Sequence, residues 1–335
     1  MEKLENAILA IKEALPGMPL IENAPMRERC SMRVGGPIRA LAVPSSLTSL
    51  TKLCCILKEH ELAPLMLGNC TNTVFPDEGM SEVFAVSTEK LTKLFLLPSG
   101  SIYAECGVPL SRLAAFAQQN GLAGLEFASG IPGTVGGGLM MNAGAYGGEL
   151  KDVTESVVSY YLPEQRLYEI AAEKCEFAYR SSLFKKLPGN VIVSAVFTLE
   201  KGDGEEIAAK MRDFNERRRD KQPLDLPSAG SAFKRPEGHY AAQLIDEAGL
   251  KGFSIGGAQV SEKHVGFIVN TGTATASDVH ELLKEVRRRV YKSSGVLLEP
   301  EIILYPPDYK LEDRGPQVPH NIAMPSETWT DEAQQ

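Results

Sequence analysis

The feature that most limits how this chain can fold is a glycine-rich block in its middle. The 28 residues from Gly121 to Gly148 include ten glycines. A glycine inside a helix or strand costs about 0.5–1 kcal/mol, because glycine loses more conformational freedom on folding than other residues do. The block therefore predicts loops in place of a helix or a central strand.

A second, shorter cluster, from Gly68 to Asn72, reads Gly-Asn-Cys-Thr-Asn. A backbone without Cβ atoms can approach a phosphate closely and direct several N–H groups at it. Neither cluster is followed by Gly-Lys-Ser/Thr, and neither opens a Rossmann helix with G-x-G-x-x-G. One cluster alone would be explained by tight turns. Two clusters in one α/β region, the longer of which also holds Asn142, favour a dinucleotide diphosphate as the ligand.

Periodic segments around these clusters predict a mixed α and β fold. The first half alternates predicted strands and helices, with Ser45 or Ser46 as the N-cap of one helix. In the last third, apolar residues at i, i+3, i+4, i+7 and i+11 predict a helix over about residues 277–291 that packs on a compact core. A loop led by Ser231 and a final strand, LLEPEIILY, complete this part. We place the domain boundary near residues 201–205.

Charge and composition exclude several classes of protein. Lys and Arg total 35 against 43 Asp and Glu, a net charge of −8, which argues against a nucleic-acid-binding or membrane-surface protein. No apolar stretch approaches the roughly 20 residues that span a bilayer, and the N-terminal segment does not resemble a signal peptide. The six cysteines lack metal-ligand spacing. We expect a cytoplasmic protein without a metal site, and a disordered tail over residues 306–335.

Three side chains outside the glycine clusters are candidate reactive groups. Arg180 lies in FAYRSSLF, Ser231 in SAGSAFKRP, and Glu301 at the start of the apolar segment IILY. Each has an ordinary structural explanation: a solvated Arg–Tyr pair, a helix cap or turn, and an exposed strand entrance. No single one of these signals is specific.

In this order along the chain, the stretches resemble the UDP-N-acetylenolpyruvoylglucosamine reductase family. The similarity extends from about Ser31 to Tyr305, and the long glycine block together with GSAFKRP is its most specific part. The matching segments are SMRVGGPIRALAVP, LGNCTN, GLEFASGIPGTVGGGLMMNAGAYGGEL, YRSS, PSAGSAFKRP, LIDEAGLKGFSIGGAQVSEKHVGFIVN and GVLLEPEI.

The resemblance implies an α+β fold and a redox activity. It implies an N-terminal helix and approach over residues 1–30, a two-part FAD-binding domain of the vanillyl-alcohol-oxidase type over 31–201, and an α+β substrate-binding domain over 202–305. FAD would be held non-covalently, with NADPH as co-substrate. The substrate would be UDP-N-acetylglucosamine enolpyruvate, reduced to UDP-N-acetylmuramate for peptidoglycan synthesis by a monomeric enzyme.

The same resemblance implies roles for individual residues. Arg180 and Glu301 would stabilise the charge that develops on the substrate, and Ser231 would donate a proton to carbon. The residues implied to bind the cofactor are Gly68, Asn69, Cys70, Thr71, Asn72, Gly130, Gly133, Thr134, Gly136, Gly137, Asn142, Gly144 and Ala145. The residues implied to bind substrate are Tyr179, Lys221, Lys234, Arg235, Lys251 and His264.

The chain departs from the family pattern at two places. The first flavin loop of the family reads Gly-Gly-Gly-Ser-Asn, so two glycines are replaced here by Asn69 and Cys70. Arg235 stands where the family more often has Asn, which would make a neutral substrate contact a charged one. Only about 50 residues separate Arg180 from Ser231, as in the shorter, second type of the family.

Two other interpretations stay open at this point. One is an oxidase of the same flavin fold with covalently attached FAD, although none of the five histidines lies in a glycine loop. The other is a non-catalytic protein that binds flavin or a nucleotide sugar. That interpretation would be favoured by the loss of the reactive side chains, all of which are present.

Overall fold

The computed structural model describes residues 2–306. The predicted tail therefore lies, apart from its first residue, outside the described residues. Over residues 2–306, no helix combines the length and the apolar character needed to cross a membrane. In the same range, no group of three or more His, Cys, Asp or Glu side chains could hold a metal ion.

The first part of the chain forms a four-stranded sheet covered by two helices. The sheet order is β1-β2-β5-β3, with β1 antiparallel to β2 and the other pairs parallel. Ser46 caps the second helix through a capping box with Ser49, as predicted for Ser45 or Ser46. The elements are α1 (Glu2–Ala14), β1 (Leu20–Pro25), β2 (Pro37–Ala42), α2 (Leu47–Glu59), β3 (Leu65–Leu67), β4 (Thr73–Val74) and β5 (Met80–Ser87).

The second part is built on a five-stranded antiparallel sheet of order β12-β11-β13-β7-β6. Nearly every residue of its central strand, β13, is buried, because both faces of the sheet are covered. The elements are β6 (Leu94–Leu96), β7 (Ile102–Glu105), α3 (Leu110–Gln119), β8 (Leu122–Ala123), α4 (Val135–Met140), β9 (Gly144–Ala145), β10 (Gly148–Glu149), β11 (Thr154–Tyr161), β12 (Arg166–Ala171), α5 (Leu183–Lys186), β13 (Asn190–Phe197) and β14 (Glu200–Lys201).

The prediction that the glycine block excludes a helix was wrong. Helix α4 contains three consecutive glycines, and Thr134 caps its first turn by accepting a hydrogen bond from the Gly137 N–H. Packing outweighs the low helix propensity of glycine here. A Cβ on Gly136 would lie 2.9 Å from the Cys106 Cβ, and one on Gly138 would lie 2.8 Å from a Leu150 methyl carbon. Only glycine lets α4 approach its neighbours this closely.

The third part is a four-stranded antiparallel sheet of order β15-β18-β17-β16, flanked by the long helix α8. The predicted apolar stripe of α8 is almost completely buried, and Gly295 ends the helix at a φ of 74°. The elements are α6 (Gly204–Lys221), β15 (Ser228–Ser231), α7 (Ala241–Glu247), β16 (Ser254–Ile255), β17 (Ala258–Val260), β18 (Phe267–Asn270), α8 (Ala276–Ser294) and β19 (Ile303–Leu304).

Two predictions in this part were wrong in detail. Ser231 does not lead a loop but ends β15, which pairs with β18 across a bulge. The final strand is reduced to β19, because Pro300 has no N–H and forms only an isolated bridge with Phe233.

The third part is joined closely to the first. Strand β19 pairs in parallel with β4. The Asp77 carboxylate accepts hydrogen bonds from the N–H groups of Ala276 (2.8 Å) and Ser277 (2.9 Å) at the start of α8. Met32 and Val34 pack into the core beneath α8. This junction brings the C-terminal strand beside the first glycine cluster.

Candidate functional site

The two glycine clusters lie against each other. The Thr71 hydroxyl donates to the Pro132 carbonyl at 3.2 Å. A Cβ on Gly68 would lie 2.7 Å from Oγ1 of Thr134, and one on Gly133 would lie 3.4 Å from Oγ1 of Thr71. The clusters, which were expected to act together, therefore form one surface, hereafter called the cradle (residues 68–72 and 130–137).

The cradle offers unused hydrogen-bond donors. Among residues 2–306, no acceptor pairs with the backbone N–H groups of the four residues 69–72, or with those of Gly133 and Thr134. A run of free N–H groups at a turn and a helix start is the arrangement that binds phosphate groups. The cradle thus fits the diphosphate of a dinucleotide such as FAD.

A cavity of about 300 Å³ opens beside the first half of the cradle. It is lined by Gly68, Asn69 and Cys70 on one side and by the Arg29–Glu89 ion pair (3.5 Å) on the other. Its floor includes apolar side chains from β2 and β3. A long ligand held by the cradle has room to extend into this cavity.

The other predicted cofactor residues have mainly structural contacts. The Gly130 carbonyl accepts a hydrogen bond from the Arg218 guanidinium. Gly144 and Ala145 form β9, which pairs with β10. The Asn142 side chain is fully buried, and both ends of its amide are hydrogen-bonded within the protein.

Arg180 lies at the tip of a tight turn in which Ala178 and Ser181 exchange backbone hydrogen bonds of 3.0 and 3.1 Å. Its φ of 54° is in the left-handed region, which is uncommon for a residue with a side chain and is concentrated at functional sites. Its Nε donates to Oε1 of Glu301 at 2.5 Å. The turn therefore aims the guanidinium at a carboxylate 121 residues further along the chain.

The Arg180–Glu301 pair is largely withdrawn from water. The two side chains are only 19% and 12% exposed. Burial raises the pKa of Glu301, while the neighbouring Arg180 guanidinium acts in the opposite direction. The pair is therefore neither the solvated surface contact nor the exposed strand entrance that the ordinary explanations propose.

A backbone hydrogen bond joins the segment after Ser231 to the segment that carries Glu301. The Glu301 N–H donates to the Ala232 carbonyl at 3.0 Å, so the segment after Ser231 runs beside the segment that carries the carboxylate. Ser231 is half-buried and caps no helix. In the described part of the chain, no group hydrogen-bonds to its hydroxyl. The hydroxyl is thus available to a ligand.

A second cavity, of about 530 Å³, adjoins the pair and is lined by charged side chains of both signs. Tyr179, Lys234 and Arg235 contribute to its lining. The Tyr179 hydroxyl accepts a hydrogen bond from the Arg235 N–H at 3.1 Å, and Lys234 forms an ion pair with Glu299. Glu237 and Glu299 also line the cavity, so an anionic group would have to bind there at Lys234 and Arg235.

Three predicted substrate residues are less closely joined to this cluster. Lys221 ends α6, and its charge adds to burial in lowering the pKa of His264. The His264 Nδ1 accepts a hydrogen bond from the Gly266 N–H at 3.1 Å, so one of the two ring nitrogens already has a partner within the protein. Lys251 is exposed after α7, and within residues 2–306 no hydrogen bond or ion pair connects it to another predicted site residue.

Sequence reasoning missed Lys185. Its Nζ donates to the Arg180 carbonyl at 3.2 Å. Desolvation and the Lys234 ammonium lower the pKa of Lys185, whereas Glu299 and Glu301 act in the opposite direction. These interactions place its charge beside the pair. Nothing in the local sequence distinguishes it from Lys186, which pairs with Glu176 instead.

Comparison with known proteins agrees with this geometry. Residues 38–162 match the model of an FAD binding domain, and residues 222–305 match the model of the UDP-N-acetylenolpyruvoylglucosamine reductase C-terminal domain. UDP-N-acetylenolpyruvoylglucosamine reductase of Caldanaerobacter subterraneus subsp. tengcongensis is 45% identical over 87% of this chain and 95% of its own length. That of Alkaliphilus oremlandii is 41% identical over 90% and 98%.

A solved structure supports the same relationship. The crystal structure of the reductase from Thermus caldophilus aligns with a TM-score of 0.73 and 32% identity, covering 86% of this chain and 99% of that one. The predicted α+β fold, with an FAD-binding part and a C-terminal part typical of these reductases, is confirmed. The chain belongs to the UDP-N-acetylenolpyruvoylglucosamine reductase family.

Proposed function

We propose that this protein is the FAD-dependent enzyme that uses NADPH to reduce UDP-N-acetylglucosamine enolpyruvate to UDP-N-acetylmuramate, a step of peptidoglycan synthesis. The observation that supports this most directly is the buried Arg180–Glu301 pair, because the Glu301 backbone is hydrogen-bonded both to the segment after Ser231 and to Asn72 of the cradle. Residues 31–201 would bind FAD and residues 202–305 the nucleotide sugar. The enzyme would act as a cytoplasmic monomer without a nucleic-acid or membrane partner.

The cradle residues would hold the FAD diphosphate through their backbone N–H groups. When bound, FAD supplies two-electron transfer between NADPH and the enol ether. The protein groups then have two tasks, which are to stabilise negative charge on the substrate and to deliver a proton to carbon.

Arg180 and Glu301 would carry out the first task. Reduction at C3 of the enolpyruvyl group spreads negative charge from C2 into the substrate carboxylate. The guanidinium of Arg180 can bind that carboxylate, and Glu301 fixes the guanidinium in place by accepting a hydrogen bond from its Nε. One donor of this kind typically contributes about 10²–10³-fold in rate.

Ser231 would carry out the second task. Its hydroxyl would donate a proton to C2, with the Lys234 ammonium close by in the chain to stabilise the alkoxide that results. A positioned general acid contributes about 10²–10⁴-fold. The two tasks thus have similar weight.

The Ser231→Ala variant tests this assignment. Reduction of the bound flavin by NADPH should stay nearly unchanged, while reoxidation by UDP-N-acetylglucosamine enolpyruvate should slow by at least about 10²-fold. Stopped-flow absorbance at the flavin band follows each half-reaction separately. Ser228→Ala, at the other end of β15, is the matched control. Reoxidation of Ser231→Ala at the wild-type rate would remove the serine from the mechanism.

A second experiment separates the proposal from its alternatives. Acid precipitation of the purified yellow protein should release FAD into the supernatant. Flavin that stays with the pellet would indicate the covalent oxidase. A flavoprotein that NADPH cannot reduce would indicate the non-catalytic binding protein.

A further inference from the structure

Two asparagine side chains connect the glycine loops to the buried ion pair. We propose that Asn72 and Asn142 are positioning residues, each of which fixes one member of the Arg180–Glu301 pair to one glycine-rich segment. The loops that hold the cofactor would then also set the geometry of the groups that act on the substrate. The inference rests on the function proposed above and adds two residues to it.

Asn72 fixes the backbone of Glu301. Its side-chain Nδ2 donates to the backbone carbonyl of Glu301 at 3.0 Å. The backbone carbonyl of Asn72 accepts from the Ile303 N–H at 2.9 Å. On the other side, the Glu301 N–H donates to the Ala232 carbonyl. Glu301 is therefore held between the first glycine loop and the strand end that carries Ser231.

Asn142 fixes the turn that carries Arg180. Its Nδ2 donates to the Ala178 carbonyl at 3.2 Å and to Oε2 of Glu149 at 2.9 Å, and its Oδ1 accepts from the Lys151 N–H at 3.0 Å. The side chain is fully buried. Because each end of this amide is engaged by the protein, we infer that it acts through the turn and does not bind FAD itself.

The ion pair depends on both supports. Arg180 reaches Glu301 from a left-handed turn, a conformation that persists only where the surroundings enforce it. The two residues belong to segments that only tertiary contacts hold together. A displacement of about 1 Å at a catalytic group can cost 10²-fold in rate. Loss of either asparagine amide should therefore affect the step that uses the pair.

The test compares the two half-reactions in single variants. In Asn72→Ala and Asn142→Gly, reoxidation by the enolpyruvyl substrate should slow by about 10- to 100-fold. Both variants keep the backbone N–H groups of the cradle, so flavin reduction by NADPH and the FAD dissociation constant should change less than about 3-fold. Glycine is chosen at position 142 because the φ of 42° there would strain alanine. Asn120→Ala is the control, because it removes an amide that also donates to a backbone carbonyl, in this case that of Phe116 in α3.

A double-mutant cycle shows whether Asn72 acts through Glu301. In a Glu301→Ala background, Asn72→Ala should slow reoxidation by less than about 2-fold. An undiminished effect in that background, or a large rise in the FAD dissociation constant, would overturn the proposal. Asn72 is only half-buried, so its variant decides the matter even where Asn142→Gly fails to fold.

The outcomes also separate this inference from the proposed function. If the wild-type flavin is not reoxidised by the enolpyruvyl substrate, the proposed function fails. If the wild-type protein turns over and Asn72→Ala reoxidises at the wild-type rate, only the positioning role fails.

Discussion

Replacement of Arg180 by methionine should destabilise the protein in a pH-dependent manner. The change keeps a long apolar side chain but leaves the Glu301 carboxylate, which is 12% exposed, without its closest cation. Two unit charges 4 Å apart interact by about 4 kcal/mol at an effective dielectric constant of 20. Removal of one partner of a buried pair typically costs 3–5 kcal/mol, and the residual exposure here favours the lower end, about 3 kcal/mol.

The direction of the pH dependence follows from the pKa of Glu301. Burial already raises this pKa in the wild-type protein, and Arg180 is the largest influence that lowers it. The folded variant should therefore hold the proton more tightly than the unfolded chain does. A group of this kind causes no penalty at a pH below its unfolded pKa, and the penalty grows as the pH rises towards the folded pKa. The loss of stability should be small near pH 5 and large at pH 8.

Thermal unfolding at the two pH values measures this loss. A penalty of about 3 kcal/mol should lower Tm by roughly 4 °C at pH 8, because the unfolding entropy of a chain of 335 residues is about 0.7 kcal/mol/K. Adding Glu301→Gln to Arg180→Met should restore most of the lost stability, because the unpaired buried charge is then gone. Arg217→Met, which breaks an exposed pair with Asp213, should cost under about 1 kcal/mol. An equal loss at pH 5 and pH 8, or no recovery in the double variant, would refute the reasoning.

Three further predictions test the cradle, the junction and the missed lysine. Gly137→Ala should leave Tm unchanged, since its Cβ would make no packing contact shorter than 3.6 Å, yet it should weaken FAD binding at least about 10-fold in a fluorescence titration. Gly136→Ala, in contrast, should destabilise the fold by about 1–3 kcal/mol. An unchanged FAD affinity in Gly137→Ala would place the diphosphate elsewhere. Asp77→Ala should cost about 1 kcal/mol in urea unfolding, because it removes the acceptor of two N–H groups in the first turn of α8. An unchanged midpoint would contradict this. Lys185→Met should lower kcat/KM about 10-fold and Lys186→Met should not; equal values would exclude Lys185 from the site.

The elements that the sequence predicts well are those whose causes are local. Ser46 and Ser49 form their capping box within one turn, and the stripe of α8 follows from helical spacing alone. Helix α4 was missed because its glycines are required by contacts with Cys106 and with Leu150. These contacts join segments that no local pattern connects.

In the candidate site too, features with a local cause could be predicted from the sequence, whereas features that depend on tertiary contacts could not. The resemblance indicated Arg180, Ser231 and Glu301, but it gave no reason why the arginine and the glutamate should be paired. That reason is a hydrogen bond across 121 residues. Lys185 has no local signal either, since only the tertiary fold directs it to the Arg180 carbonyl while Lys186 turns to Glu176.

The pairing of β4 with β19 also has a consequence for synthesis of the chain on the ribosome. Asn72 and Glu301 are 229 residues apart, so at about 5–20 residues per second the first glycine loop waits roughly 11–46 s for its partner to be translated. During that interval the edge of β4 has no strand to pair with and is open to chaperones or to another nascent chain. A message truncated just before codon 301 would yield a chain of 300 residues in which β4 lacks its partner strand and Arg180 lacks its carboxylate.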